Sequence, residues 1–168
     1  MVTPISQQRK VQNNIISIRP FKKSDFVMVE AMDERSGNDV AQWVNDLEDG
    51  DSNDYSWGCF LGNEMIGYCT IGYADDLGNR VHTYPGYSID SLILSDVYIK
   101  KEYRGNGYAL HMISEVIQKH REQENELVFV TLLYDELSKF YQKLGFRWAF
   151  EKEYLMVLEK EENCCNAM

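Results

Sequence analysis

Val97-Tyr98-Ile99-Lys100-Lys101-Glu102-Tyr103-Arg104-Gly105-Asn106-Gly107-Tyr108-Ala109 is the most informative stretch of this chain. An apolar, β-like run over residues 92–99 ends in it, and the chain turns through two glycines. A helix then begins, which the spacing of Leu110, Ile113, Val116 and Ile117 predicts to about residue 121. The first turn of a helix has unpaired amides and a partial positive charge, so this turn suits a phosphate or pyrophosphate. Glycine lets the backbone approach such a ligand with no Cβ in the way, and Arg104 adds a cation. An ordinary strand-to-helix turn would carry the same glycines. No Lys-Ser/Thr pair follows, so this is not a Walker A loop, and the three-glycine dinucleotide fingerprint is not matched.

Working outward, residues 127–133 form a near-continuous apolar run, as in a strand buried on both faces. A short helix over 136–144 stops at Gly145, and 147–158 is the last strand candidate. Upstream, 15–19 reads as a strand that Pro20 helps to end. Ser24 is placed to cap a helix bearing Phe26, Val27, Val29 and Met32. A second helix over 38–47 aligns Val40, Trp43, Val44 and Leu47. An acidic loop over 46–54 leads to strands 55–61 and 65–73, hinged at Gly62-Asn63, and 75–86 is a polar loop. Strands and helices alternate in the second half, which predicts adjacent parallel strands with a crossover helix. The expected fold class is α/β (α+β mixed), one domain over residues 14–158 with a mixed central sheet and flanking helices. A polar arm (1–13) precedes it and a flexible polar tail (159–168) follows.

The length of 168 residues suits one domain. No apolar run approaches the ~20 residues of a membrane helix, and residues 1–14 lack a signal peptide's apolar segment. A cytoplasmic protein with no membrane partner is expected. Seventeen basic residues against 27 acidic ones give a net charge of −10, which repels nucleic acid and tolerates or attracts a cation. Cys59 and Cys69 lie in β-like sequence, and the Cys164-Cys165 pair has no ligand-spaced companions, so no metal site is expected.

Arg104-Gly105-Asn106-Gly107-Tyr108-Ala109 fits the Arg/Gln-x-x-Gly-x-Gly/Ala signature of the GNAT superfamily of N-acetyltransferases. Val97-Tyr98-Ile99 resembles that family's fourth strand, and Tyr141-Gln142-Lys143-Leu144-Gly145-Phe146 resembles its Tyr-x-x-x-Gly-Phe stretch. One helix and one strand fill the gap, as in the family, and the resemblance spans about residues 15–158. It implies acetyl-CoA as donor, with splayed parallel central strands, here 92–99 and 127–133. The pantetheine arm would pair with the backbone of the first, at Val97, Tyr98 and Ile99. The pyrophosphate would lie on the amides of Arg104, Gly105, Asn106, Gly107, Tyr108 and Ala109. Tyr141 matches the tyrosine that protonates the CoA sulfur. Many members carry Asn and Ala seven and four residues before it; here Tyr134 and Leu137 stand there, and the Tyr134 hydroxyl would have to replace the asparagine's contact.

The candidate general base is Asp96, a carboxylate in an otherwise apolar run, where burial without a partner is costly; it is either that base or a carboxylate that caps or pairs with a neighbouring element. Alternation groups it with Leu92, Leu94 and Tyr98; a bulge, frequent at this point in the family, would re-aim one side chain. Asp90, Ser95 or a water chain are reserves. Asp46, Glu48, Asp49, Asp51 and Asp54 form either a cation-binding cluster or a solvated loop. Trp43, Tyr55 and Trp57 beside them supply either a cation–π face or core. No nucleophilic Cys or Ser sits in a recognisable site. The expected reaction is therefore acetyl transfer to a primary amine, of a small molecule or peptide, by direct attack in a ternary complex. A non-catalytic acyl-CoA-binding sensor or interaction module and transfer of a longer acyl group are the alternatives. A homodimer is compatible with these features.

Overall fold

Alternating side chains of the central strands pack to two faces, and helices cover both. In the computed structural model, which describes residues 15–77, 81–121 and 127–159, these strands are β1 (Ile16–Lys22), β2 (Ser52–Leu61), β3 (Glu64–Tyr73), β4 (Leu92–Ile99) and β5 (Val128–Thr131). Two short strands, β6 (Arg147–Phe150) and β7 (Leu155–Leu158), complete a seven-stranded sheet of order β1-β2-β3-β4-β5-β7-β6. Only β4 and β5 run parallel, as the crossover pattern predicts; every other pair is antiparallel.

The crossover is α3 (Tyr108–His120), whose Met112, Ile113, Val116 and Ile117 are buried against Cys59, Leu94, Val130 and Met156. Met112 takes the place expected of Leu110, which is only half buried. On the other face, α1 (Phe26–Ser36) and α2 (Ala41–Asn45) set Val29, Met32 and Val44 against Phe21, Phe60 and Tyr68. The last helix, α4 (Ser138–Gln142), follows a 3-10 turn over Asp135–Leu137.

Several elements differ from the sequence expectation. β1 runs on through Pro20, which sits where the β1–β2 register shifts; a bulge tolerates the missing amide. Ser24 caps nothing, because a 3-10 turn at Lys23–Asp25 precedes α1. Instead Asp25, 3% exposed, accepts the Lys22 amide at 2.9 Å and a two-pronged Arg19 guanidinium at 2.7 and 2.9 Å. Burial pushes the Asp25 carboxyl up, but the Arg19 and Lys22 bonds outweigh it and hold the group below its ordinary value. The expected last strand is two, β6 and β7, separated by the turn at Glu151–Glu153 and by Tyr154 at φ 53°. β2 begins at Ser52, inside the stretch expected to be loop. The expected arm (1–13) and most of the expected tail (160–168), with Cys164-Cys165, lie outside the described residues.

Among the described residues no helix is long and apolar enough to cross a membrane, and no grouping of His, Cys, Asp and Glu could hold a metal. Cys59 and Cys69 are buried free thiols.

Candidate active site

β4 and β5 pair over only Leu92↔Val128, Ile93↔Phe129 and Leu94↔Val130, and then part. From Ser95 onward one edge of β4 is open, and a cleft of about 480 Å³ occupies the gap. Val97, Tyr98, Val130, Thr131 and Tyr141 line it, with Ser36 and Asn38 from the end of α1 and the loop after it. An open strand edge with unpaired backbone groups is a template for an extended ligand.

β4 itself runs on past the cleft to the turn before α3. Gly105 and Gly107 both adopt φ 80°, the left-handed region that favours glycine, and nothing lies within 4 Å of where a Cβ would stand. The His111 amide is the first of α3 to find a backbone acceptor, Gly107. The amides of Gly105, Asn106, Gly107, Tyr108, Ala109 and Leu110 have none among the described residues. This is a ready-made anion cradle. The Arg104 amide is not part of it, since it donates to the Lys101 carbonyl at 3.3 Å. Arg104 Nε donates to Ile99 O at 2.8 Å, so the side chain folds back along β4 and rests 5.4 Å from the Tyr98 ring centroid. The Asn106 side-chain Nδ2 braces the turn by donating to the Tyr103 and Arg104 carbonyls. Glu64 accepts from the Tyr103 hydroxyl and the Lys100 ammonium, and these hold its carboxyl below its ordinary value.

Asp96 sits at the expected bulge. Tyr68 faces Tyr98 and Thr70 faces Ser95, so Asp96 and Val97 together oppose Cys69. Asp96 takes φ 49°, one of two non-glycine residues in this region among those described, a conformation that Asp tolerates better than most side chains. The Thr70 hydroxyl, 3% exposed as a residue, donates to Asp96 Oδ2 at 2.7 Å.

A second cleft, of about 540 Å³, lies beside the first, and Ile93, Ser95 and Asp96 line both. Trp43, Tyr55 and Tyr73 form its apolar wall, and Asn53 and Thr70 are its other polar groups. Trp57, by contrast, is core: it is 6% exposed, and its indole donates to the Asp54 carbonyl beneath His120 and Lys119. The acidic side chains of residues 46–54 are all exposed, and none lines either cleft. Asp90 is likewise exposed and apart, whereas Ser95 stands beside Asp96 in both clefts.

Tyr141 is 6% exposed, packs edge-on to Phe140 and Phe146, and lines the first cleft. Its hydroxyl makes no hydrogen bond among the described residues. Burial pushes the phenol above its ordinary value, with a smaller push from Cys69, so it carries its proton throughout the neutral range. Tyr134 is 53% exposed and lies outside the cleft lining, while Leu137 lies within it.

The site thus gathers Asp96, Val97, Tyr98 and Tyr141 in one cleft and the 105–110 amides at the turn beyond. Sequence reasoning missed Thr70, Ser36, Asn38 and Thr131. Ser36 carried a signal only through its fold partners: its hydroxyl meets Tyr68 Oη at 2.5 Å, and Tyr68 donates to Asp33 at 2.6 Å. That network fixes the end of α1, since Asp33 also accepts the Ala41 amide at 2.7 Å.

The fold that carries this cleft has counterparts among solved structures. Diaminobutyrate acetyltransferase EctA from Paenibacillus lautus, in complex with L-2,4-diaminobutyric acid and coenzyme A, superposes with a TM-score of 0.61 at 14% identity, over 88% of this chain and 96% of that one. Arabidopsis thaliana NAA60 with a bisubstrate analogue gives 0.59 at 17% identity, over 86% and 98%. N-acetylglutamate synthase from Neisseria gonorrhoeae, complexed with coenzyme A and L-arginine, gives 0.58 at 13% identity, over 88% of this chain; the chain spans about a third (34%) of that enzyme. At such identities these are likenesses of fold. No curated protein matches the chain in sequence. The model of the acetyltransferase (GNAT) family matches residues 18–146, and the chain belongs to that family.

Proposed function

We propose that this family member transfers acetyl from acetyl-CoA to a primary amine by direct attack in a ternary complex. One observation carries the reading: Asp96 lines two adjoining clefts at once, so a donor in one and an acceptor in the other would meet at a carboxylate. The first cleft suits the pantetheine arm, with β4 backbone at Val97 and Tyr98 free to pair with it and Ile99 at its end. The pyrophosphate would lie on the amides of Gly105, Asn106, Gly107, Tyr108 and Ala109, with the Arg104 guanidinium beside them. The coenzyme A of two fold relatives supports this cosubstrate. Tyr134, exposed and outside the cleft lining, would meet at most an outer part of the arm.

The chemistry follows from the groups present. An ammonium cannot attack, so Asp96 takes a proton from the incoming amine, directly or through a water. The nitrogen lone pair forms a C–N bond to the thioester carbonyl carbon. The β4 backbone beyond Leu94, free where β5 has left it, offers amides to the oxyanion. Collapse breaks the C–S bond, and the Tyr141 hydroxyl gives its proton to the departing sulfur. The nitrogen, still cationic after attack, gives its second proton through water to the Tyr141 phenolate, and Asp96 releases the first to solvent, leaving a neutral amide, free CoA and both groups as they started. A buried phenol is a reluctant acid, so its help is greatest as a short hydrogen bond to sulfur as negative charge develops there.

The test pairs calorimetric CoA titration with a thiol-release assay over a panel of amines, in wild type and Tyr141→Phe. The variant is expected to bind CoA as wild type does and to lose about 10²–10³-fold in kcat. Equal turnover removes Tyr141 from the chemistry. CoA binding without turnover on any amine favours an acyl-CoA sensor, and no CoA binding overturns the reading.

A further inference from the structure

We infer that the acceptor is a primary amine carried on an aromatic body that bears no anionic group, an arylalkylamine in chemical class. The inference rests on the transferase reading above and adds the acceptor's identity to it.

The second cleft has a lopsided lining. Among the described residues its only carboxyl side chain is that of Asp96, and no Lys, Arg or His lines it. An α-amino acid or a phosphorylated amine would therefore bring an anion into the cleft with no counter-charge, beside a carboxylate. The exposed carboxylates of residues 46–54, in the loop after α2 and the start of β2, stand close in sequence to Trp43 and Tyr55 and deepen that repulsion. A polyamine fares little better. Asp96 is committed to the reacting nitrogen, and the loop carboxylates stay in water outside the lining, so a second ammonium would find only ring faces. At exposed sites such contacts are weak.

The wall that remains is aromatic. Trp43, Tyr55 and Tyr73 are 49%, 46% and 48% exposed. Such residues are usually scattered singly over a surface, yet these three converge on one cleft from α2, β2 and β3. The Tyr55 and Tyr73 rings are 6.2 Å apart and tilted by 58°, a corner rather than a flat stack, and both line the cleft that Trp43 borders. A flat apolar body in that corner would cover ring surface on several sides, while its aminoalkyl chain reaches Asp96.

The test measures kcat/KM of the full chain with acetyl-CoA for tryptamine, tryptophan, spermidine, butylamine and a C-terminally amidated peptide with an N-terminal serine. Tryptamine is expected to exceed tryptophan by about 100-fold, the penalty for an unpaired anion. It is expected to exceed spermidine by about tenfold, as aromatic packing outweighs exposed cation–π contact. Trp43→Ala should cut the tryptamine-to-butylamine ratio about tenfold, with CoA affinity as the check on folding. If that variant fails to bind CoA, Tyr73→Leu takes its place and should lower the same ratio. Tryptophan, spermidine or the peptide matching tryptamine overturns the inference and leaves the transferase reading intact. So does an unchanged ratio in the variant. CoA binding with no turnover of any of the five overturns both.

Discussion

The two halves of β4 do different work. Leu92 to Leu94 lies between β3 and β5, hydrogen-bonded on both edges, with Leu92 and Leu94 nearly inaccessible. Ser95 to Tyr98 has lost β5, bulges at Asp96, and leaves all four residues half buried along a cleft. The first half builds the sheet; the second spends sheet hydrogen bonding to make a site. A parallel pair that continued along all of β4 would be the better sheet and would have nowhere to bind a ligand. The half of the strand that lines the clefts is therefore also the half with unpaired backbone groups.

That contrast can be broken most sharply at Asp96. Asp96→Asn keeps the shape, and Asn tolerates the left-handed backbone, so folding should be preserved. Loss of the base should lower kcat/KM by about 10²–10³-fold in steady-state assays, with the midpoint of thermal unfolding little changed. The mirror-image change is Leu92→Ala, in the sheet half. It should cost about 3 kcal/mol of stability by urea unfolding, while the turnover of the molecules that remain folded stays near wild type. If either variant showed the other's signature, the division of β4 would fail.

Thr70 sharpens the comparison from the neighbouring strand. Thr70→Val, nearly isosteric, removes the hydroxyl that holds Asp96 Oδ2 and should lower kcat/KM about five- to tenfold. Thr70→Ser should restore most of it, which a packing role for the threonine methyl would not. The smallest effect is expected of alkaline pH. Burial raises the Tyr141 phenol above its ordinary value. It therefore keeps its proton further into alkali than an exposed tyrosine, and kcat should hold a plateau from pH 7 to about 9.5. A fall within that window that Tyr141→Phe abolishes would place the titration on this group and contradict its burial.

The turn before α3 was legible because its signal is local. Two glycines, the helix period after them and the β-run before them all lie within a short span of chain, and the observed φ values need those glycines. Asp96 was legible as an anomaly, a charge in an apolar strand. Its direction depended on a bulge whose cause is the offset of Cys69 in β3 against β4. Thr70 had no signal at all: a threonine in a strand is ordinary, and its partner is 26 residues away. Trp43, Tyr55 and Trp57 looked alike in sequence. Register separates the two in β2, because residues 54–56 are extra where Pro20 meets Trp57 and Phe21 meets Asn53. Tyr55, at that irregularity, is left exposed, and Trp57, back in register, is buried. The break between β6 and β7 was missed because Glu151-Lys152-Glu153-Tyr154 holds no Gly, Pro or Asn, although three successive charges mark it.

By itself the sequence determined the alternation of strands and helices, the parallel β4–β5 pair and the glycine turn before α3. Each follows from side-chain period or from glycine at a fixed offset, which are properties of neighbouring residues. Only the tertiary structure decided where β4 parts from β5, which clefts Asp96 joins and which aromatics line the second of them. Those are outcomes of register and packing between segments far apart in the chain, where a shift of one residue carries a side chain to the opposite face.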